Sequence, residues 1–201
     1  MWGLNCGPYM REPSITVAPF ELVIFQHNMS LILTNSTAIH GKIKEMFSTK
    51  TRHRRRVVLV AYVGKDAPSL LPDAQGVEIY CWPQAGATHP EAIRTLVQRG
   101  AEIFFVPSLH MKLYWVRDIG ALFTSANLSR NALGVGGLHE AGVFLEDLKG
   151  LDIDHLIHGL SAQMLTDDLL DALQRDHDNF SERLHLPTSS TKSPSLLEWF
   201  E

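Results

Sequence analysis

His110 and Lys112 are separated by one residue, and Ser125 and Asn127 repeat that spacing a short distance downstream. On a β-strand, residues two apart share a face. His110 and Lys112 are therefore expected to project together at the start of the apolar run 113–116. Arg117, Asp118, Ile119 and Gly120 read as a turn, after which residues 121–125 return the chain as the second strand of a hairpin. Ser125 and Asn127 then meet His110 and Lys112 at one end of a sheet. An imidazole in such company can attack phosphorus: a cation draws in the phosphate, and hydroxyl and amide donors hold its oxygens as charge builds. The bland alternative is a loop histidine beside a snorkelling strand lysine. It gives no reason for Ser125 and Asn127 to recur opposite.

The elements that must position these groups are legible as an α/β alternation. Residues 21–26 and 31–34 flank a turn-like His27-Asn28-Met29-Ser30 and predict a hairpin. Ser36 is expected to cap a helix over 38–47, in which Ile39, Ile43 and Phe47 recur at four-residue spacing. Residues 57–63 form a continuous valine-rich run, as suits a strand covered on both faces. Strand 77–81 and helix 91–98 follow, the helix with Pro90 at its start, Thr88 or His89 as cap and Gly100 just past its end. Strand 103–106, the hairpin strands 112–116 and 121–125, and strand 141–145 complete a mixed sheet. Helical spacing over 153–160 and 164–173 predicts a C-terminal helical layer. The expected fold class is α/β, a mixed β-sheet layered between helices. Residues 1–185 are expected to form the catalytic domain, and 186–201 a Pro/Ser/Thr linker ending in an apolar tail.

His110, Lys112, Ser125 and Asn127 resemble the HKD motif of the phospholipase D-like superfamily, and the α/β alternation resembles that family's domain over most of residues 20–165. Two positions depart from the pattern. The Asp after the Lys comes one position late, as Asp118, and is not given the family role. Thr124 stands where the motif has Gly. In the nuclease branch a downstream Glu supports the histidine, and Glu140 holds that place. The resemblance implies a phosphodiesterase working by double displacement through a phosphohistidine, without metal or other cofactor. With one motif in the chain, it also implies a homodimer whose two copies share an active site.

Net charge is -4 and the pI is near 6.2, which argues mildly against a nucleic-acid packaging protein. The run from Lys50 to Arg56 is nevertheless densely basic. Arg54, Arg55 and Arg56 either grip phosphates beside the cleft or lie on a solvated loop. No apolar run reaches the roughly 20 residues of a membrane span, and residues 1–10 lack the basic start and apolar core of a secretory leader. Cys6 and Cys81 stand alone, as reduced structural thiols of a cytoplasmic protein do. His155 and His158 lie one helical turn apart with no third ligand spaced to join them. Trp82 and Trp115 have the shape to stack bases, although Trp115 sits mid-strand and reads as core. Leu196, Leu197, Trp199 and Phe200 either close on the domain or dock on a protein partner. Three functions compete: a dimeric endonuclease on DNA or RNA, a phospholipid-processing enzyme, and a catalytically weak binding module of the same fold.

Overall fold

The run Arg56-Val57-Val58-Leu59-Val60 has no polar alternation, and in the computed structural model it is strand β2 (Arg56–Val60), buried at every position. The structure describes residues 30–146 and 150–185. A strand so apolar must be covered on both faces. It lies at the centre of an eight-stranded mixed sheet of order β1-β7-β6-β5-β2-β3-β4-β8. Here β1 is Ser30–Leu33, β3 Val77–Cys81, β4 Glu102–Phe105, β5 Lys112–Val116, β6 Gly120–Thr124, β7 Gly142–Glu146 and β8 Gln163–Met164. β2, β3 and β4 run parallel. β5 lies antiparallel to β2, and the hairpin to β6 continues through β7 to β1. The predicted partner of β1, residues 21–26, lies outside the described residues, as do Cys6 and the tail 186–201.

Alternate residues of β2 feed two cores. Val58 and Val60 face Ile39 and Ile43 of α1 (Ser36–Met46), Ile93 and Leu96 of α3 (Pro90–Gln98), and Leu173 of α6 (Asp167–His185). Val57 and Leu59 face Leu113, Trp115, Leu109 and Ile153, the last from α5 (Ile153–His158). Each fully buried Ile or Leu contributes about 1.5–3 kcal/mol. Two short helices, α2 (Ala67–Leu70) and α4 (Arg130–Leu133), also line the first core.

The expected single C-terminal helical layer is corrected by this division: α5 covers one face of the sheet and α6 the other. The chain changes sides at β8, which pairs with the outer edge of β4. A second correction concerns α1, whose cap is Asn35: its Oδ1 accepts from the Ala38 N–H at 2.8 Å. Ser36 is instead the first helical residue, buried, with its Oγ donating to the Leu138 carbonyl at 2.8 Å. Helix α3 begins at Pro90 after His89, which makes no side-chain capping bond. Gly100 follows its end at φ +84°, a left-handed conformation that glycine adopts without Cβ strain. Cys81 is fully buried, and burial pushes its thiol up to about 12, so it is an unreactive core group. Among the described residues no helix is long and apolar enough to cross a membrane.

Candidate active site

Register decides what meets at the site. Lys112, the first residue of β5, pairs with Val60, the last of β2, and Thr124 at the end of β6 pairs with Gly142 at the start of β7. The residues just before β5 and β7 and just after β2 and β6 therefore gather at one end of the sheet. These are His110, Glu140, Tyr62, Ser125 and Asn127.

His110 is exposed and Lys112 half-buried. Lys112 Nζ stands 3.2 Å from Nε2 and 3.4 Å from Nδ1 of His110, and donates to the His110 carbonyl at 3.2 Å. Burial lowers the Lys112 ammonium pKa, and the nearby Glu140 carboxylate opposes that shift. Asn127 Oδ1 accepts the Tyr62 N–H at 3.1 Å. That bond fixes the amide plane and leaves its Nδ2 as the donating end.

Ser125 is held from two sides. Its Oγ donates to Glu140 and accepts the Ala141 N–H at 3.1 Å, while its own N–H donates to the Ala141 carbonyl at 3.0 Å. Glu140 is buried at 8% exposure. Among the described residues its hydrogen-bond partner is Ser125, not the His110 ring that the resemblance would give it. Beneath them Tyr114, fully buried, donates its hydroxyl to the Ala126 carbonyl at 3.3 Å and so ties down the segment between Ser125 and Asn127. Burial and, secondarily, Glu140 raise the Tyr114 phenol pKa well above its ordinary value, which keeps it a donor. The arrangement offers one exposed imidazole, one cation and oriented polar donors on a single edge.

No family model matches the sequence, and no curated protein matches it. By structure the chain is similar to a phospholipase D family member, Nuc, from Salmonella typhimurium, at 16% identity and a TM-score of 0.47, over 65% of this chain and 91% of that one. It is also similar to NucT from Helicobacter pylori, at 9% identity and a TM-score of 0.45, over 79% and 96% of the two chains. A third likeness is to phosphatidylserine synthase from Haemophilus influenzae, at 14% identity and a TM-score of 0.48, over 83% of this chain and 47% of that one. At these identities and TM-scores the likenesses carry no argument about activity, and the chemistry rests on the residues of the site.

The departures from the phospholipase D-like motif have local accounts. Asp118 sits in the β5–β6 turn at φ +57°, at the far end of the hairpin from His110, and pairs with Arg54 at 2.9 Å. It belongs to the turn. Thr124 replaces the motif glycine opposite Gly142, where an added Cβ would stand 3.0 Å from the Thr124 Cβ. Bulk at one register position is matched by its absence at the other. Thr124 Oγ1 also donates to the Ala141 carbonyl at 2.8 Å.

The basic run does not flank the cleft. Arg56 pairs with Val116 and Val77 at the opposite end of β2 from Tyr62. Its guanidinium has no exposure and is bonded to Asp73 at 3.1 Å and to the Gln75 carbonyl. Arg55 forks onto Glu78 at 2.6 and 3.0 Å and also reaches Asp154, joining α5 to the sheet. Arg54 is held by Asp118 and by the Arg117 carbonyl. The charges of Arg54, Arg55 and Arg56 are thus paired with carboxylates of the fold, with Arg54 and Arg55 still partly exposed.

Other candidates fall away from the site. Trp115 is core at 9% exposure. His155 and His158 ride on α5, and among the described residues no three His, Cys, Asp or Glu side chains are grouped to hold a metal ion. The sequence gives no sign of the roles of Tyr62 and Tyr114, which depend on Asn127, 65 residues away, and on Ala126 across the hairpin.

Proposed function

We propose that this chain is a metal-independent phosphodiesterase of the phospholipase D-like superfamily, an endonuclease that cleaves DNA or RNA in a homodimeric active site. A cytoplasmic location is part of this reading. The observation that carries it is the contact between the exposed His110 ring and the Lys112 ammonium, at the sheet end that also holds Ser125, Glu140 and Asn127. An imidazole nitrogen of His110 attacks phosphorus, a P–N bond forms, and the P–O bond to the leaving strand breaks. The departing oxygen takes a proton from the imidazolium of His110 of the partner subunit. Water then attacks the phosphohistidine, gives its proton to that second imidazole, and the P–N bond breaks. Lys112 and the Asn127 Nδ2 of both subunits balance the charge on the non-bridging oxygens. Ser125 and Glu140 hold the edge in shape. The dimer follows from the chemistry, since one ring cannot be nucleophile and acid in the same step.

The test combines cleavage and mass. Fluorescent DNA and RNA strands are incubated with the protein in excess EDTA while sedimentation reports its oligomeric state. Cleavage should persist in EDTA and track the dimer. An absolute requirement for Mg²⁺ or Zn²⁺, or an active monomer, would contradict the reading.

A further inference from the structure

Tyr62 and Trp82 stand side by side just beyond the ends of the parallel strands β2 and β3. Their rings are stacked, with centroids 6.1 Å apart and planes inclined by 26°. Both residues are half-buried. Their backbones are fixed. The Trp82 N–H donates to the Ala61 carbonyl at 3.1 Å, and buried Thr88 donates to the Trp82 carbonyl at 2.6 Å.

Both rings are tied to the site. Tyr62 supplies the N–H that orients the Asn127 amide. Trp82 packs against the apolar cluster that includes Val106 and Leu109, from the segment that leads to His110. The aromatic pair thus bridges the two arms of the candidate site. A ring fixed beside a phosphate-binding group fits a flat, apolar ligand joined to that phosphate. A nucleobase has such a face. A paired base inside a duplex already spends both faces on its neighbours, whereas an unpaired base has one to offer.

We propose that Tyr62 and Trp82 form the surface on which an unpaired base next to the scissile phosphate stacks, which makes single-stranded nucleic acid the preferred substrate. This rests on the phosphodiesterase reading above. Stacking of one base on an aromatic side chain is worth roughly 5- to 150-fold in affinity.

The experiment measures fluorescence anisotropy with three labelled ligands: oligothymidine, oligouridine, and an abasic strand of equal length and charge. They are titrated into wild type, Tyr62→Leu, Trp82→Leu and Trp82→Phe, with an equal-length duplex and phosphatidylglycerol vesicles as further arms. Wild type should bind both base-bearing strands tighter than the abasic strand by about 5- to 150-fold. Trp82→Leu should bring that ratio toward one with the abasic affinity unchanged, Tyr62→Leu should also lower the ratio, and Trp82→Phe should retain most of it. If Trp82→Leu fails to fold, the wild-type ratio and Trp82→Phe still decide. Equal wild-type affinity for base-bearing and abasic strands overturns the proposal. So does an unchanged ratio in a folded leucine variant, a preference for duplex, or vesicle binding without base discrimination. An intact ratio with no cleavage of any strand would sink the phosphodiesterase reading while leaving the stacking surface. Cleavage with no base dependence would do the reverse.

Discussion

His110→Ala is expected to reduce phosphodiester cleavage by roughly 10⁴-fold or more, as removal of a covalent nucleophile does. Its fold should be unchanged, because the ring is exposed and packs in neither core. Cleavage of a fluorescent strand, with circular dichroism as the control for folding, checks both. Lys112→Ala should cost on the order of 10²–10³-fold through lost charge stabilisation. Asn127→Asp is the sharper companion. It keeps an oxygen to accept the Tyr62 N–H but replaces the Nδ2 donor with an anion facing phosphate. A loss at least as large as that of Lys112→Ala is expected, without loss of stability. Wild-type rates in His110→Ala would remove the mechanism.

The second large effect is on stability. Asp73 is buried between two arginines: Arg52 forks onto it at 2.9 and 2.8 Å, and Arg56, with no exposure at all, reaches it at 3.1 Å. Bonding to Arg52 first, then to Arg56, holds the Asp73 carboxyl at about 2 against the opposing effect of burial. Asp73→Ala strands the Arg56 charge in the interior, and about 3–5 kcal/mol of stability should go with it. Arg56→Met fills similar space and leaves Asp73 its Arg52 partner, so it should cost clearly less. Urea unfolding of both variants measures the difference. The pH dependence has a definite sign. A carboxyl depressed in the folded state stabilises above its ordinary value of 3.8 and loses that contribution as pH falls toward about 2. Wild type should lose stability across that window, and Asp73→Ala should lose less there. Neutralising Arg54, Arg55 and Arg56 together should therefore destabilise the protein before it changes the salt dependence of nucleic-acid binding.

What the sequence made legible follows from the range of the interactions involved. Strands β3 and β5 lie where the apolar runs put them, and the turn between β5 and β6 where Arg117 to Gly120 predict it, because those signals are local. The common edge of His110, Lys112, Ser125 and Asn127 needed only the two-residue period of a strand and one hairpin. The fates of the arginines were not readable. Their partners lie 17 residues away for Arg56 and 99 for one bond of Arg55, and a run of positive charge carries no mark of which carboxylate the fold will bring to it. The passage of the C-terminal helices to opposite faces depends on β8, two exposed residues with no apolar pattern. Tyr62 gave no signal because its partner, Asn127, stands 65 residues downstream.

The central claim is that His110 becomes covalently bound to phosphorus, and peptide mapping of a trapped reaction tests it most directly. A strand carrying ³²P at the scissile phosphate is mixed with excess protein in EDTA and quenched with alkali over a rapid time series. Alkali preserves a P–N bond, and the labelled peptide is then sequenced by mass spectrometry. Transient label is expected on the peptide containing His110, at no more than one per two chains, and none in His110→Ala. Single-turnover cleavage that runs to completion with no protein-bound label at any time, or label on another residue, would contradict it.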